Sequence, residues 1–281
     1  MKRVSRRAVV AAVVPALAAT AGCLDATDGG GGTTEPTGTR STTTNATTRD
    51  DTGDGDAAPA RRADVDGRSV RLASARTSRA IVTLLASTHP SVSAEADRQY
   101  VVVELDVSGE EAQAAAEDAC ELRVDDAAIE PVSETVQPFT DGVHLAFSLP
   151  LDVDPDEVAL AWVDAVETTV FPLTNSLVPS LRNPPAFEVR SFQVPARADG
   201  DEVAVSFAVA NVGEGDGEFL AELGSRAVSD QGELRVEVAA GETKTVTRSV
   251  GLVPSVDEQV VVLDWGSGSM ERTVAVPTTT E

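Results

Sequence analysis

Few residues in this chain of 281 could carry chemistry: two histidines, His89 and His144, and two cysteines, Cys23 and Cys120. Two cysteines can build neither a disulfide framework nor a four-thiolate zinc site. His89 precedes Pro90 and reads as a turn residue, while His144 falls on the outward side of an alternating strand. Each therefore reads as a solvent-facing bystander rather than a base or a metal ligand. Cys120 opens the strand-like stretch Cys120-Glu121-Leu122. No cationic neighbour in sequence depresses its pKa, so a buried, inert thiol is expected. A Gly-Lys-Ser/Thr phosphate loop, a Gly-x-Ser-x-Gly elbow and a His-Glu-x-x-His helix are all missing. No catalytic residue, metal ligand or cofactor is assigned.

Acidic clusters offer one further chemistry. Asp152, Asp154 and Asp156 have the spacing that starts a calcium loop. Glu157 stands where that loop needs glycine, and Val163 where it needs a distal glutamate. Glu214, Asp216 and Glu218 line a glycine-rich turn, and Asp50, Asp51, Asp54 and Asp56 lie farther upstream. Among 46 carboxylates such spacings arise by chance, so these read as solvated surface.

Stronger information sits at the N-terminus. Lys2, Arg3, Arg6 and Arg7 precede an apolar or small run of 14 residues, Ala8 to Ala21. A charged head, a greasy middle and small residues at a cleavage point form the layout of an export signal. The run makes only about 21 Å of helix, and a bilayer core of ~30 Å asks for about 20 apolar residues. Ser5-Arg6-Arg7-Ala8-Val9-Val10 resembles the twin-arginine export motif. Thr20-Ala21-Gly22-Cys23 resembles a lipobox, which implies cleavage before Cys23 and lipidation of its thiol. Anchoring would follow from burying lipid carbons, at roughly 0.8 kcal/mol per CH₂, with two chains needed for a stable hold.

The elements beyond the signal divide the chain. Residues 1–22 read as signal peptide and 23–65 as a lipidated, disordered tether dominated by Gly, Thr, Asp and Pro. Asn45-Ala46-Thr47, in this stretch, is the one N-glycosylation sequon. Regular structure is expected from about Arg68. Val101, Val103, Leu105 and Val107 share one strand face, and Val143, Leu145, Phe147 and Leu149 another. Val158, Leu160 and Trp162 form a third inward set, and further strands fit 69–75, 79–87, 121–131 and 168–173. Glu110 to Asp118 is the one helical-looking piece. Arg182-Asn183-Pro184-Pro185 marks a boundary between domains 66–182 and 184–277. In the second, Val203, Val205, Phe207 and Val209 alternate, and strands recur about every ten residues near 218–223, 233–238, 243–250, 258–265 and 270–276. The fold class read from this is all-β, with two immunoglobulin-like β-sandwich domains in tandem. Trp162 and Trp265 read as core residues.

Phe187–Val194, the strand ending Val209-Ala210-Asn211-Val212-Gly213, and the Gly-Asp-Gly turn resemble bacterial and archaeal immunoglobulin-like modules of the cell-adhesion-related (CARDB-like) kind. The resemblance implies an extracytoplasmic interaction or spacer role with no catalytic residues to carry over. The expected protein is a non-enzymatic lipoprotein on the outer face of the cell membrane. Its expected partners are the membrane, through the anchor, and another envelope protein, with no nucleic acid; oligomeric state stays open. The alternative is a solute-binding accessory component of a transporter or an extracellular hydrolase, which requires a concave pocket with converging polar groups, such as a deep apolar one between the domains at Trp162 or Trp265.

Charge supplies a physical expectation. Removing residues 1–22 takes four basic residues and no acidic one, leaving 18 basic against 46 acidic, a formal charge of −28. A duplex nucleic acid is thereby excluded as a partner. Lys2 and Lys244 are the only lysines. Abundant carboxylates, scarce lysine and a Val/Ala-rich core resemble a haloarchaeal surface protein. Molar salt cuts the Debye length to about 3 Å and screens the self-repulsion of such a charge. The melting temperature of the mature protein is expected to fall when multimolar NaCl is replaced by dilute buffer. Equal melting in both would contradict the halophilic reading.

Overall fold

A computed structural model describes residues 61–277, apart from 86–88, 139, 165–166, 228–231 and 255. The described residues are mostly strand, and the fold is all-β. The first half contains β1 (Arg62–Val65), β2 (Arg68–Ser78), β3 (Ile81–Leu85), β4 (His89–Ser93), β5 (Arg98–Val107), α1 (Ala112–Ala119), β6 (Cys120–Val124), β7 (Ala127–Ile129), β8 (Val143–Pro150), β9 (Val158–Val163), β10 (Thr168–Pro172) and α2 (Thr174–Arg182). Two antiparallel sheets, ordered β1-β2-β5-β8 and β10-β9-β6-β7, face each other. Their inner faces carry the alternating sets, so Val101, Val103, Leu105, Phe147, Leu160 and Trp162 share one core. Ala116 of α1 and Leu177 and Leu181 of α2 plug into the same core.

Several local expectations change. The chain is already in a strand at Arg62, inside the stretch expected to be tether through residue 65. Its hairpin to β2 turns on Asp66 and Gly67, both at positive φ, the Asp-Gly pair such a two-residue turn prefers. The run 121–131 is two strands folded back at Asp125, whose φ is 51°. The expected helix at 110–118 forms as α1, two residues later. Thr174–Arg182 was not anticipated as a helix. Its interior Pro179 argues against one, but burial of Leu177, Val178 and Leu181 outweighs that local cost. His89 begins β4 opposite Leu85 and does not sit in a turn.

The outer face of β5 and β8 is also covered. Tyr100, Val102 and Ala146 are buried there with Ile81 and Val136. The segment around 132–137 lies across them: Val132 N–H donates to Ala146 O (2.8 Å), and Gln137 N–H to Val82 O (2.8 Å). Ala146 was expected to face outward; this roof is why it does not.

The second half contains β11 (Phe187–Gln193), β12 (Glu202–Asn211), β13 (Gly217–Ser225), β14 (Gly232–Val238), β15 (Thr243–Gly251), β16 (Glu258–Asp264) and β17 (Ser269–Ala275). Sheets β11-β12-β15 and β14-β13-β16-β17 enclose a core around Phe207, Phe219, Val261 and Leu263. Asn211 is 1% exposed and uses its whole amide. Its Oδ1 accepts from Ala186 N (3.1 Å) and Gly213 N (3.0 Å), and Nδ2 donates to Gly215 O (2.8 Å) and Val238 O (3.0 Å). The connector Asn183–Ala186 is thereby pinned to the second sandwich. Gly213 and Gly215 have no room for a side chain: a Cβ on Gly213 would overlap the Pro184 and Ala186 backbone, and one on Gly215 the Asn183 carbonyl. Gly251 meets nothing within 4 Å. Gly215→Ala is therefore expected to cost about 3 kcal/mol, while Gly251→Ala leaves chemical-denaturation midpoints nearly unchanged. Equal effects of the two would overturn the close-approach assignment.

Candidate functional site

Arg6, Arg7, Cys23 and Asn45 lie outside the described residues. The other singled-out groups can be placed. The Cys120 thiol is buried and free, and burial pushes its pKa up to about 12, which keeps it protonated and unreactive. Asp154 and Asp156 both bind Arg182, at 2.6 and 2.8 Å, so a guanidinium holds the carboxylates of the calcium-like spacing. Asp216 accepts from Ala240 N, and Glu218 pairs with Arg235 at 3.2 Å. Among the described residues no cluster of three or more His, Cys, Asp or Glu could hold a metal, and no helix is long and apolar enough to cross a membrane. Trp162 is a core residue as expected; Trp265 is half-buried, stacked obliquely on Phe219.

The β3-β4 ribbon packs against the second sandwich. Leu220 of β13 is buried against Ala80, Val82 and Val92, a contact worth about 2 kcal/mol for a side chain of that size. Gly266, at φ 79°, lets the β16–β17 turn close onto the β4 backbone, where a Cβ would meet Ala94 N at 2.7 Å. Between these contacts the Glu222 carboxylate accepts the Val92 N–H. Burial raises the Glu222 pKa, with smaller contributions from Asp264 and Glu233; bonds from Val92 and Ser91 oppose it without cancelling it.

The deep apolar pocket that the transporter or hydrolase alternative needs at a tryptophan is not found among the described residues. The space beside Trp265, walled by Phe187, Phe219 and Leu220, measures about 50 Å³. A larger hollow of about 560 Å³ lies by Arg62, Arg71 and Gln113, and its polar groups engage one another. Arg71 pairs with Asp106, Arg62 with Ser69, and Gln113 with Glu117 and the His144 backbone.

A third cavity, about 340 Å³, opens at the junction. Register pairing puts Ser74, Glu104 and His144 in one row across β2, β5 and β8, and Arg76, Val102 and Ala146 in the next. Gln137, Pro138 and Thr140 roof these rows, and Glu233 and Arg235 of β14 form the wall. Gln137 sits at φ 51°, its N–H donating to the Val82 carbonyl and its carbonyl accepting from Thr140 Oγ1 at 2.6 Å. Its Oε1 accepts from Arg235 Nη2 at 2.6 Å. Sequence reading missed this site because its residues are scattered over four segments and belong to no motif. The one local signal is the high polarity of 133–142 in a chain otherwise dense in strands.

No protein-family model and no curated protein matches the chain. Solved structures give partial likenesses. A β-glucosidase from Erythrobacter marinus is 20% identical over 33% of this chain and 16% of its own, with TM-score 0.29. A Listeria innocua β-glucosidase is 16% identical over 34% and 16%, with TM-score 0.27. A β-galacturonidase from Eisenbergiella tayi is 12% identical over 72% and 43%, with TM-score 0.25. The chain spans less than half the length of each.

Glu222 gives the junction a pH signature. With its folded pKa raised, the folded state prefers the protonated carboxyl: stability gained from this group is full below the unfolded pKa and lost as pH rises through the folded one. Glu222→Gln keeps an acceptor for Val92 N–H and removes the buried charge. Its melting temperature is expected to exceed wild type at pH 7, with the two converging as pH falls toward the ordinary carboxylate range. A variant less stable than wild type at neutral pH would contradict this.

Proposed function

We propose that the protein is a lipid-anchored, extracytoplasmic, non-enzymatic module of a halophile's envelope. The observation that carries this reading is the N-terminal sequence, a twin-arginine-like head and greasy run ending in Thr20-Ala21-Gly22-Cys23. Arg6 and Arg7 serve export, Cys23 takes the lipid, and Asn45 takes a glycan on the stretch between anchor and fold. A two-sandwich body then stands off the membrane as an interaction or scaffolding unit. The junction supports this role physically, since a connector pinned at Asn211 holds both sandwiches in one orientation instead of leaving two loosely strung beads. An envelope protein is the expected partner, with a sheet edge such as β15 available for strand addition.

The test is a Cys23→Ser variant expressed beside wild type in a halophilic host. Wild type is expected in the membrane fraction, beginning at a lipid-modified Cys23 by mass spectrometry and crosslinked to an envelope protein in native high-salt membranes. The variant is expected to be released. A wild-type chain that starts at Met1, or that is unlipidated and soluble, would overturn the proposal.

A further inference from the structure

The junction cavity differs from the hollow by Arg62 and Arg71 in what its polar groups leave unused. Arg76 donates no hydrogen bond to any described residue, and its nearest carboxylate oxygen, on Glu218, is 3.9 Å away. Yet Arg76 is half-buried, and burial lowers its pKa. Gln137 is 6% exposed and serves as roof, holding Arg235 through Oε1. The Arg76 side chain, 38% exposed and with only the long Glu218 pairing, keeps donor capacity for a guest. Acceptor capacity is left over as well. Glu104 is half-buried and, among the described residues, forms no ion pair and accepts one bond, from Ser74 Oγ at 3.0 Å. His144 lines the same space, with its Nε2 2.8 Å from Asp141 O.

Chemistry of the lining narrows the guest. Arg76 and Arg235 balance Glu104 and Glu233. A small carboxylate would face both glutamates, and an ammonium would face both arginines. A neutral guest with adjacent groups that each donate and accept meets neither repulsion. It could bridge Arg76 and Glu104 while an apolar edge rests on Val102 and Pro138. The volume, about 340 Å³, lies in the ~300–1,000 Å³ range of small-molecule sites, which favour domain junctions. The positive φ of Gln137 fixes the roof in a conformation uncommon for a non-glycine residue, as binding sites often do.

We infer that this cavity binds a neutral, hydroxyl-rich ligand of single-pyranose size, a saccharide, with Arg76 and Glu104 as the recognising groups. The inference goes beyond the anchored-module reading and does not depend on lipidation. Because the chain has only two histidines, the site carries its own reporter. Neutral monosaccharides in one arm, and their methyl glycosides as mimics of a chain end in the other, are titrated into the full chain in multimolar KCl by NMR. At least one sugar is expected to shift the His144 imidazole resonances saturably and leave those of His89 in place. Arg76→Met is expected to weaken that binding about tenfold, and Ser74→Ala, at an exposed position, supplies a second variant that preserves the fold. Failure of every sugar in both arms to move His144, or binding that neither substitution weakens, would overturn the assignment.

Discussion

The geometry of the folded region depends on one close approach. The Asn183–Ala186 backbone lies against Gly213 and Gly215, with the Asn211 amide saturated between connector and turn. Any side chain larger than hydrogen at those glycines would push the connector off. Once it is seated, β13 is held beneath the β3-β4 ribbon, Leu220 is buried, Glu222 reaches Val92, and Arg235 reaches Gln137. Each later contact is modest alone. They occur together because the connector has already removed most of the freedom between the sandwiches, so little further entropy opposes them.

The same contact explains the polar character of the junction. In a chain with 46 carboxylates the charged surface is normally left to water. At the junction, Glu222, Arg76 and Gln137 are instead partly or wholly withdrawn from it. A purely structural joint would do better with apolar residues at these places, since desolvated charges contribute little stability even when paired. Arg76 and Gln137 border the cavity proposed as a ligand site, whereas Glu222 lies apart from it against Val92.

Sequence periodicity made the strands legible wherever one face is buried and the other wet, as for Val101, Val103 and Leu105 or Val203, Val205 and Phe207. It failed where a strand is covered on both faces. Ala146 and Val102 gave no sign of the roof above them, because the roofing segment holds no period of its own. The first strand was hidden in a Gly/Asp-rich stretch, although its Asp66-Gly67 turn was a readable signal. Asn211, Gly213 and Gly215 were legible as a turn but not as a clamp, since the group they accommodate is backbone from nearly thirty residues upstream. The cavity was illegible altogether: Ser74, Glu104 and His144 become neighbours only through strand pairing.

If the clamp joins the two sandwiches into one cooperative body, they must unfold together. Differential scanning calorimetry of the full chain in multimolar KCl tests this directly. One transition is expected, with calorimetric and van't Hoff enthalpies in agreement. Two resolved transitions, each carrying about half the enthalpy, would show sandwiches that melt independently and would contradict the locked junction.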